Sequence, residues 1–258
     1  AAAAAVCKGQ GAYTPHELRT VANDATTTGD DAGEFLFYSA VKGAFGGHLQ
    51  PERLRHSRLY RNLGDLRFED VTEASGLLDD GFSGDAAPVD VNGDGWLDLY
   101  VLNMQGRDHY WENDRKGGFI DRSREVFPKT SWGAMGIQVL DVDNDGHQDI
   151  YITDMHSDMS TDIGPELEKF KSEITWKEPF LATGGQSIFG NSLFRSRGDG
   201  GFDEVSDEVG AENYWPWGVS AGDLNADGWE DLFVTSSMNY PFRYGVNTVL
   251  LNDGGHLV

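Results

Sequence analysis

Three nine-residue segments carry the side chains best suited to chemistry. They are Asp90-Val-Asn92-Gly-Asp94-Gly-Trp96-Leu-Asp98, Asp141-Val-Asp143-Asn-Asp145-Gly-His147-Gln-Asp149 and Asp223-Leu-Asn225-Ala-Asp227-Gly-Trp229-Glu-Asp231. Each reads D-x-[DN]-x-D-G-x-x-D. Spacing of two places the oxygens of positions 1, 3 and 5 around one point once the chain curls. Glycine at position 6 permits the sharp turn. Position 7 (Trp96, His147, Trp229) offers a backbone carbonyl, and the aspartate at position 9 closes the ring. Hard oxygens in that number suit Ca²⁺, whereas Mg²⁺ favours a stricter octahedron with more water. Without a cation the converging carboxylates repel one another. Three Ca²⁺ sites are therefore expected. The alternative is a set of Asx-rich turns on a solvated acidic surface. An EF-hand is excluded: position 12 holds Val101, Ile152 and Val234 where that loop requires glutamate. The expected ion is structural, ordering a loop between strands.

The elements that must position these loops are strands. Each loop is followed by a short β-branched or aromatic run: Leu99-Tyr-Val-Leu102, Ile150-Tyr-Ile-Thr153 and Leu232-Phe-Val-Thr235. Shorter segments at 136–140 and 218–222 precede the second and third loops. A second motif travels with the first. Leu59-Tyr-Arg-Asn62 leads to Gly64-Asp65 and Leu193-Phe-Arg195 to Gly198-Asp199. Tyr110-Trp-Glu-Asn113 leads to Gly117-Gly118, and Val249-Leu-Leu-Asn252 starts a fourth copy. These turns predict hairpins. Tyr60 and Trp111 are 51 residues apart, as are Asp90 and Asp141; Trp111 to Phe194 is 83 and Asp141 to Asp223 is 82. The motifs move as one unit of about four strands in about 50 residues, the content of a propeller blade. The longer second spacing requires an insertion, placed at about 155–190. Within it, Pro165 and the acidic residues after it predict a short surface helix.

The loops resemble the calcium loops of FG-GAP/VCBS repeats, the blades of integrin-α-like propellers. The phrases from Leu59 to Gly76 and from Trp215 to Asp231 are similar to the ASPIC/UnbV (cartilage-acidic-protein-like) branch. The resemblance covers residues 56–258 and is absent before residue 50. It implies an all-β, seven-bladed propeller, secreted, periplasmic or on the cell surface, used in binding and adhesion. Two departures stand out. A strict Phe-Gly…Gly-Ala-Pro signature is missing, Gly84-Asp-Ala-Ala-Pro88 being the nearest approach. Only three full units and two partial ones fit, so the propeller is expected to be partial here. Residues 1–55 are read as an N-terminal arm or incomplete blade, in which Phe35-Leu-Phe-Tyr38 could pair with a neighbouring strand.

Composition narrows the partners. Acidic residues number 43 against 20 basic, a net charge of -23. That argues against nucleic acid and against anionic membranes. Hydrophobic residues make up 39% and include 14 Phe, 9 Tyr and 7 Trp, enough for a core. The single cysteine, Cys7, excludes a disulfide scaffold and a cysteine zinc site. A lipid anchor on Cys7 is left open, with Val6 a poor residue before it. Ala1 to Ala5 form a bare alanine run and are set aside. No apolar run reaches 18 residues, so no membrane-spanning helix is expected.

Sharper possibilities rest on a few residues each. Arg197-Gly198-Asp199 spells an adhesion tripeptide but falls on a predicted hairpin turn. Asp154-Met-His156-Ser-Asp158 could hold a further metal or be a solvated loop. Trp96, Trp229, Trp215 and Trp217 could line a sugar surface, though blade packing is their commoner use. No HExxH, G-x-S-x-G, Walker or Rossmann pattern occurs. The expectation is a non-enzymatic, calcium-stabilised propeller that binds a protein or glycan outside the cytoplasm. The alternatives are a structural subunit of a larger multi-protein assembly, and a propeller-type hydrolase or lyase acting on polysaccharide.

Overall fold

A computed structural model describes residues 57–78, 83–104, 107–131, 133–155, 187–188, 190–213, 215–236, 238–239, 243–244 and 246–258. The expected insertion helix, residues 1–55 and the Phe35–Tyr38 segment lie outside them.

The chain is built from antiparallel sheets of consecutive strands. The first is a hairpin of β1 (Tyr60–Gly64) and β2 (Arg67–Asp70). The second orders β3 (Ser83–Val89), β4 (Asp98–Asn103), β5 (His109–Asn113) and β6 (Phe119–Asp121). The short strands β7 (Thr130–Ser131) and β10 (Ser187–Ile188) pair in parallel. The third large sheet orders β8 (Ala134–Leu140), β9 (Asp149–Asp154), β11 (Ser192–Ser196) and β12 (Phe202–Glu204). The last places β13 (Pro216–Gly222) beside β14 (Asp231–Ser236) and β17 (Thr248–Leu250). A small hairpin of β15 (Met238–Asn239) and β16 (Arg243–Tyr244) intervenes in sequence. The bridge between Asn252 and Leu257 stands where the other sheets have a fourth strand. The all-β, propeller-like blades expected from the repeat are thus present, and every strand expected around the acidic loops forms.

Each large sheet packs on the next through its first strand, β3 against β8 and β8 against β13. The alternation of β4 and β9 explains the stacking, because both of their faces are apolar. Tyr100, Leu102 and Tyr110 of the second sheet meet Ile150, Ile152 and Phe194 of the third. Phe127 fills the centre, its ring 5.0 Å from Tyr100 and 5.2 Å from Phe194, both edge-on. One sheet further, Tyr151 and Leu193 meet Leu232, Val234 and Leu250. Each such fully buried side chain contributes roughly 1.5–3 kcal/mol of burial. In the last sheet Phe233 and Val249 occupy the positions of Tyr151 and Leu193, yet they are 38% and 46% exposed.

Two local devices recur that the sequence pattern did not announce. The first strand of each large sheet carries a bulge, between Ser83 and Ala86, Ala134 and Gly136, and Pro216 and Val219. In the last two, the backbone N–H of Gly136 and of Gly218 donates to the hydroxyl of Thr153 and of Thr235, at 2.9 and 3.0 Å. The second device is a single helical turn after β2, β6 and β12: α1 (Thr72–Ser75), α2 (Ser123–Val126) and α3 (Ser206–Val209). The carboxylates of Asp70, Asp121 and Glu204 accept the N–H of Thr72, Ser123 and Ser206 at 2.9–3.1 Å, and their hydroxyls as well. The spacing acid-x-[Ser/Thr] was the available signal.

Candidate metal centres

Each acidic segment links the first strand of its sheet to the second, and the three adopt one geometry. In the first loop the Asp90 carboxylate accepts the N–H of Asp94 at 3.0 Å and of Gly95 at 2.9 Å, and Asp94 accepts the N–H of Trp96 at 2.8 Å. Asp141 does the same for Asp145 and Gly146, and Asp145 for His147. Asp223 repeats it for Asp227 and Gly228, and Asp227 for Trp229. The sixth residue is left-handed throughout, with φ of 83° at Gly95, 88° at Gly146 and 92° at Gly228. Only glycine takes that conformation without strain. The fourth is left-handed too, at Gly93, Asn144 and Ala226.

The ninth residue does more than close a ring. Asp98, Asp149 and Asp231 are buried. One oxygen of each accepts the N–H of position 2: Val91 at 3.3 Å, Val142 at 2.8 Å and Leu224 at 2.8 Å. The other accepts an N–H from the end of the third strand: Asn113, Ser196 and Asn252, each at 2.8 Å. This carboxylate therefore pins its own loop to the hairpin beside it. Burial pushes Asp98 upward from the ordinary aspartate value. Asp149 rises to about 6: burial dominates, the N–H groups of Ser196 and Val142 oppose it, and the charges of Asp143 and Asp145 add to it.

The loops differ in how their remaining charge is met. In the first, Arg115 donates from Nε to Asp94 at 2.9 Å, while Asn92 Oδ1 accepts the Asp94 N–H at 3.0 Å. The Trp96 N–H, then Arg115, hold the Asp94 carboxyl below its usual range. In the third, Asn225 Nδ2 donates to Asp227 at 2.8 Å. The second has aspartate at position 3, which cannot donate. Asp143 Oδ1 is buried without a hydrogen-bond partner. Among the described residues, one group of three metal-competent side chains converges: Asp141, Asp143 and Asp149, with ligand atoms within 4.8 Å of one another. Three converging carboxylates, one of them with a buried oxygen that lacks a partner, are what an oxygen-ligated cation site requires. The donor set fits Ca²⁺.

The remaining expected site residues are placed as follows. His147 lies against the hairpin turn of its own sheet, where a Cβ at Gly198 would fall 2.7 Å from its Nε2. Arg197-Gly198-Asp199 forms that turn: Arg197 donates to the Phe202 carbonyl at 3.0 Å and to Asp203 at 2.9 Å, and Asp199 accepts the Gly201 N–H. Asp154 is buried and accepts the Gly133 N–H at 2.9 Å, while His156 and Asp158 lie outside the described residues. Trp96 is 50% and Trp217 40% exposed, so neither is simply blade packing.

Contacts between neighbouring loops were missed by sequence reasoning. Gln148 Oε1 accepts the Asp90 N–H at 3.0 Å, and Glu230 Oε2 accepts the Asp141 N–H at 2.9 Å. Asn144 Nδ2 donates to the Gly228 carbonyl at 3.2 Å. Position 8 of one loop thus reaches back to position 1 of the loop before it, and the loops form a row along one rim. The signal was a polar residue at position 8 in the second and third copies.

No curated protein matches the chain. A solved structure described as an Agrocybe aegerita lectin in specific recognition of non-reducing terminal N-acetylglucosamine is similar at 17% identity, with a TM-score of 0.39. The match covers 79% of this chain and 45% of the lectin chain, so this chain spans under half of that protein's length. The FG-GAP-like repeat family matches residues 52–101, 90–152 and 180–234, which together exceed half of the sequence. The chain belongs to the FG-GAP-like repeat family.

Proposed function

We propose that the chain is a calcium-stabilised, non-enzymatic binding protein of the propeller type. The observation that carries this reading is the convergence of Asp141, Asp143 and Asp149, together with the buried, unpartnered Oδ1 of Asp143. A bound Ca²⁺ would supply the positive charge and the bonds that this oxygen lacks. The first and third loops repeat the backbone geometry and are read as weaker sites of the same kind. The proposed setting is secreted, periplasmic or at the cell surface, where millimolar calcium would load sites with the affinity of extracellular modules. Ions fastening strand to strand would take the role that disulfides fill elsewhere. Calorimetric titration of the chelator-stripped chain is expected to show calcium binding, with the tightest site lost in Asp143→Ala. Absence of heat at millimolar calcium overturns the reading.

The partner is proposed to be a protein or a glycan, and the chain to be of the ASPIC/UnbV branch. The exposed indoles support a glycan surface, since Trp96 on the first loop and Trp217 on β13 present apolar faces to solvent. Glycan-array binding with calcium and with chelator tests it. Loss of signal on chelation supports the reading, and no glycan signal in either condition favours protein. A second reading, a structural subunit of a larger assembly, is favoured by the uncovered Phe233 and Val249 on the last sheet. Chemical crosslinking through a Val249→Cys variant would report what lies there.

A further inference from the structure

We propose that Glu230 and Asn252 are positioning residues for the loop of the preceding sheet, so that cation binding at 223–231 and at 141–149 strengthens each other. The inference rests on the cation reading above and adds its regulation. Glu230 lies between positions 7 and 9 of its own loop, yet its carboxylate accepts the N–H of Asp141, the first residue of the other loop, at 2.9 Å. Asn252 is buried, and its backbone N–H and both polar atoms of its side chain are hydrogen-bonded. Its backbone N–H donates to Asp231 at 2.8 Å, its Oδ1 accepts the Gly255 N–H at 2.8 Å, and its Nδ2 donates to the Val142 carbonyl at 2.8 Å and the Glu230 carbonyl at 3.2 Å. This one residue therefore ties position 2 of the second loop to position 8 of the third through its side chain, and to position 9 through its backbone. Asn144 adds a bond to the Gly228 carbonyl at 3.2 Å.

Positions 1, 2 and 4 of the second loop are thus held by the third. Asp141 must be fixed at its backbone before its carboxylate can serve a cation while bonded to Asp145 and Gly146. A cation at the third loop immobilises Asp231 and with it the adjacent Glu230, which presets Asp141. Linkage requires the reverse effect to be equal. The arrangement is a rule of the fold, because Gln148 caps Asp90 one sheet earlier in the same manner.

The test is a double-mutant cycle on the full chain carrying Trp96→Phe, in which terbium luminescence sensitised through Trp229 reports the third loop. Disabling the second loop with Asp143→Ala is expected to weaken terbium at the third about fivefold or more, from the lower end of the usual range of site-to-site coupling upward. Glu230→Leu should diminish that dependence to what Asn252 and Asn144 carry, and Glu230→Gln, which keeps the acceptor that Gln148 supplies elsewhere, should retain it in full. A change below about fivefold on Asp143→Ala, or the same change in the Glu230→Leu protein, overturns the inference. If the parent binds no lanthanide or calcium at all, the failure lies with the cation reading. Far-UV circular dichroism of each variant confirms that the sheets remain folded.

Discussion

The loops at 90–98 and 141–149 share a backbone, a register and a buried ninth aspartate, yet they meet their charge in opposite ways. The first has Asn92 at position 3 and borrows Arg115 from the β5–β6 turn, so Asp94 is answered within the protein. The second has Asp143 at that position, and the turn of its sheet carries Gly198 where the first has Arg115. His147 occupies the space so released. Its charge waits for something from outside. Two residues therefore separate a loop that is nearly complete by itself from one that is not. The repeat conserves the scaffold of the turn and leaves its demand for a cation adjustable.

The comparison can be broken most severely at the shared ninth position. Asp149→Ala strands the N–H groups of Val142 and Ser196, and the loss should be about 2–4 kcal/mol in calcium, measured by chemical denaturation. A loss under about 1 kcal/mol would show that this carboxylate does not pin the sheet. Asp143→Asn converts the second loop to the pattern of the first. Calcium affinity at that site should fall about tenfold, and the ion-free protein should gain roughly 0.5–1.5 kcal/mol from the new amide donor. Calorimetry and chelator melts read the two changes, and a stability loss in chelator contradicts the idea. Arg115→Gln should sharpen the contrast from the other side, raising calcium affinity of the first loop severalfold by releasing Asp94.

The smallest effect is one of pH. In ion-free protein Asp149 has its value raised to about 6, above that of an unfolded aspartate near 3.8. The folded state then holds the proton more tightly than the unfolded one. That stability is fully present below pH 4 and is lost as pH rises through 6. Melting in chelator should decline over this interval, and Asp149→Asn should flatten the decline. A profile unchanged by the substitution would assign it to other groups.

Much of the fold was legible because its signals are local. Val101, Ile152 and Val234 at position 12 were read as core strand residues in place of a calcium ligand, and all three are buried. The hairpins at 64, 117 and 198 followed from glycine-containing turns. The loops were legible as possible cation sites, but their inequality was not. It depends on Arg115 and Gly198, which lie on a different hairpin and reach the loops only through folding. The reach of Glu230 to Asp141 spans 89 positions, and that of Asn252 to Val142 spans 110. No spacing rule connects residues so far apart. Asp98, Asp149 and Asp231 were read only as ligands, because two backbone donors from separate segments leave no mark in the motif itself.

The backward reach of position 8 has a consequence for how the molecule is made. A ribosome delivers Asp141 and Val142 long before Glu230 and Asn252, so each turn emerges with its fastenings still unsynthesised. The array matures in the direction of translation, with every finished segment securing the one born ahead of it. Damage near the carboxyl end is therefore expected to loosen a segment already folded upstream, and damage near the amino end to deprive the later segment of the contacts it closes on.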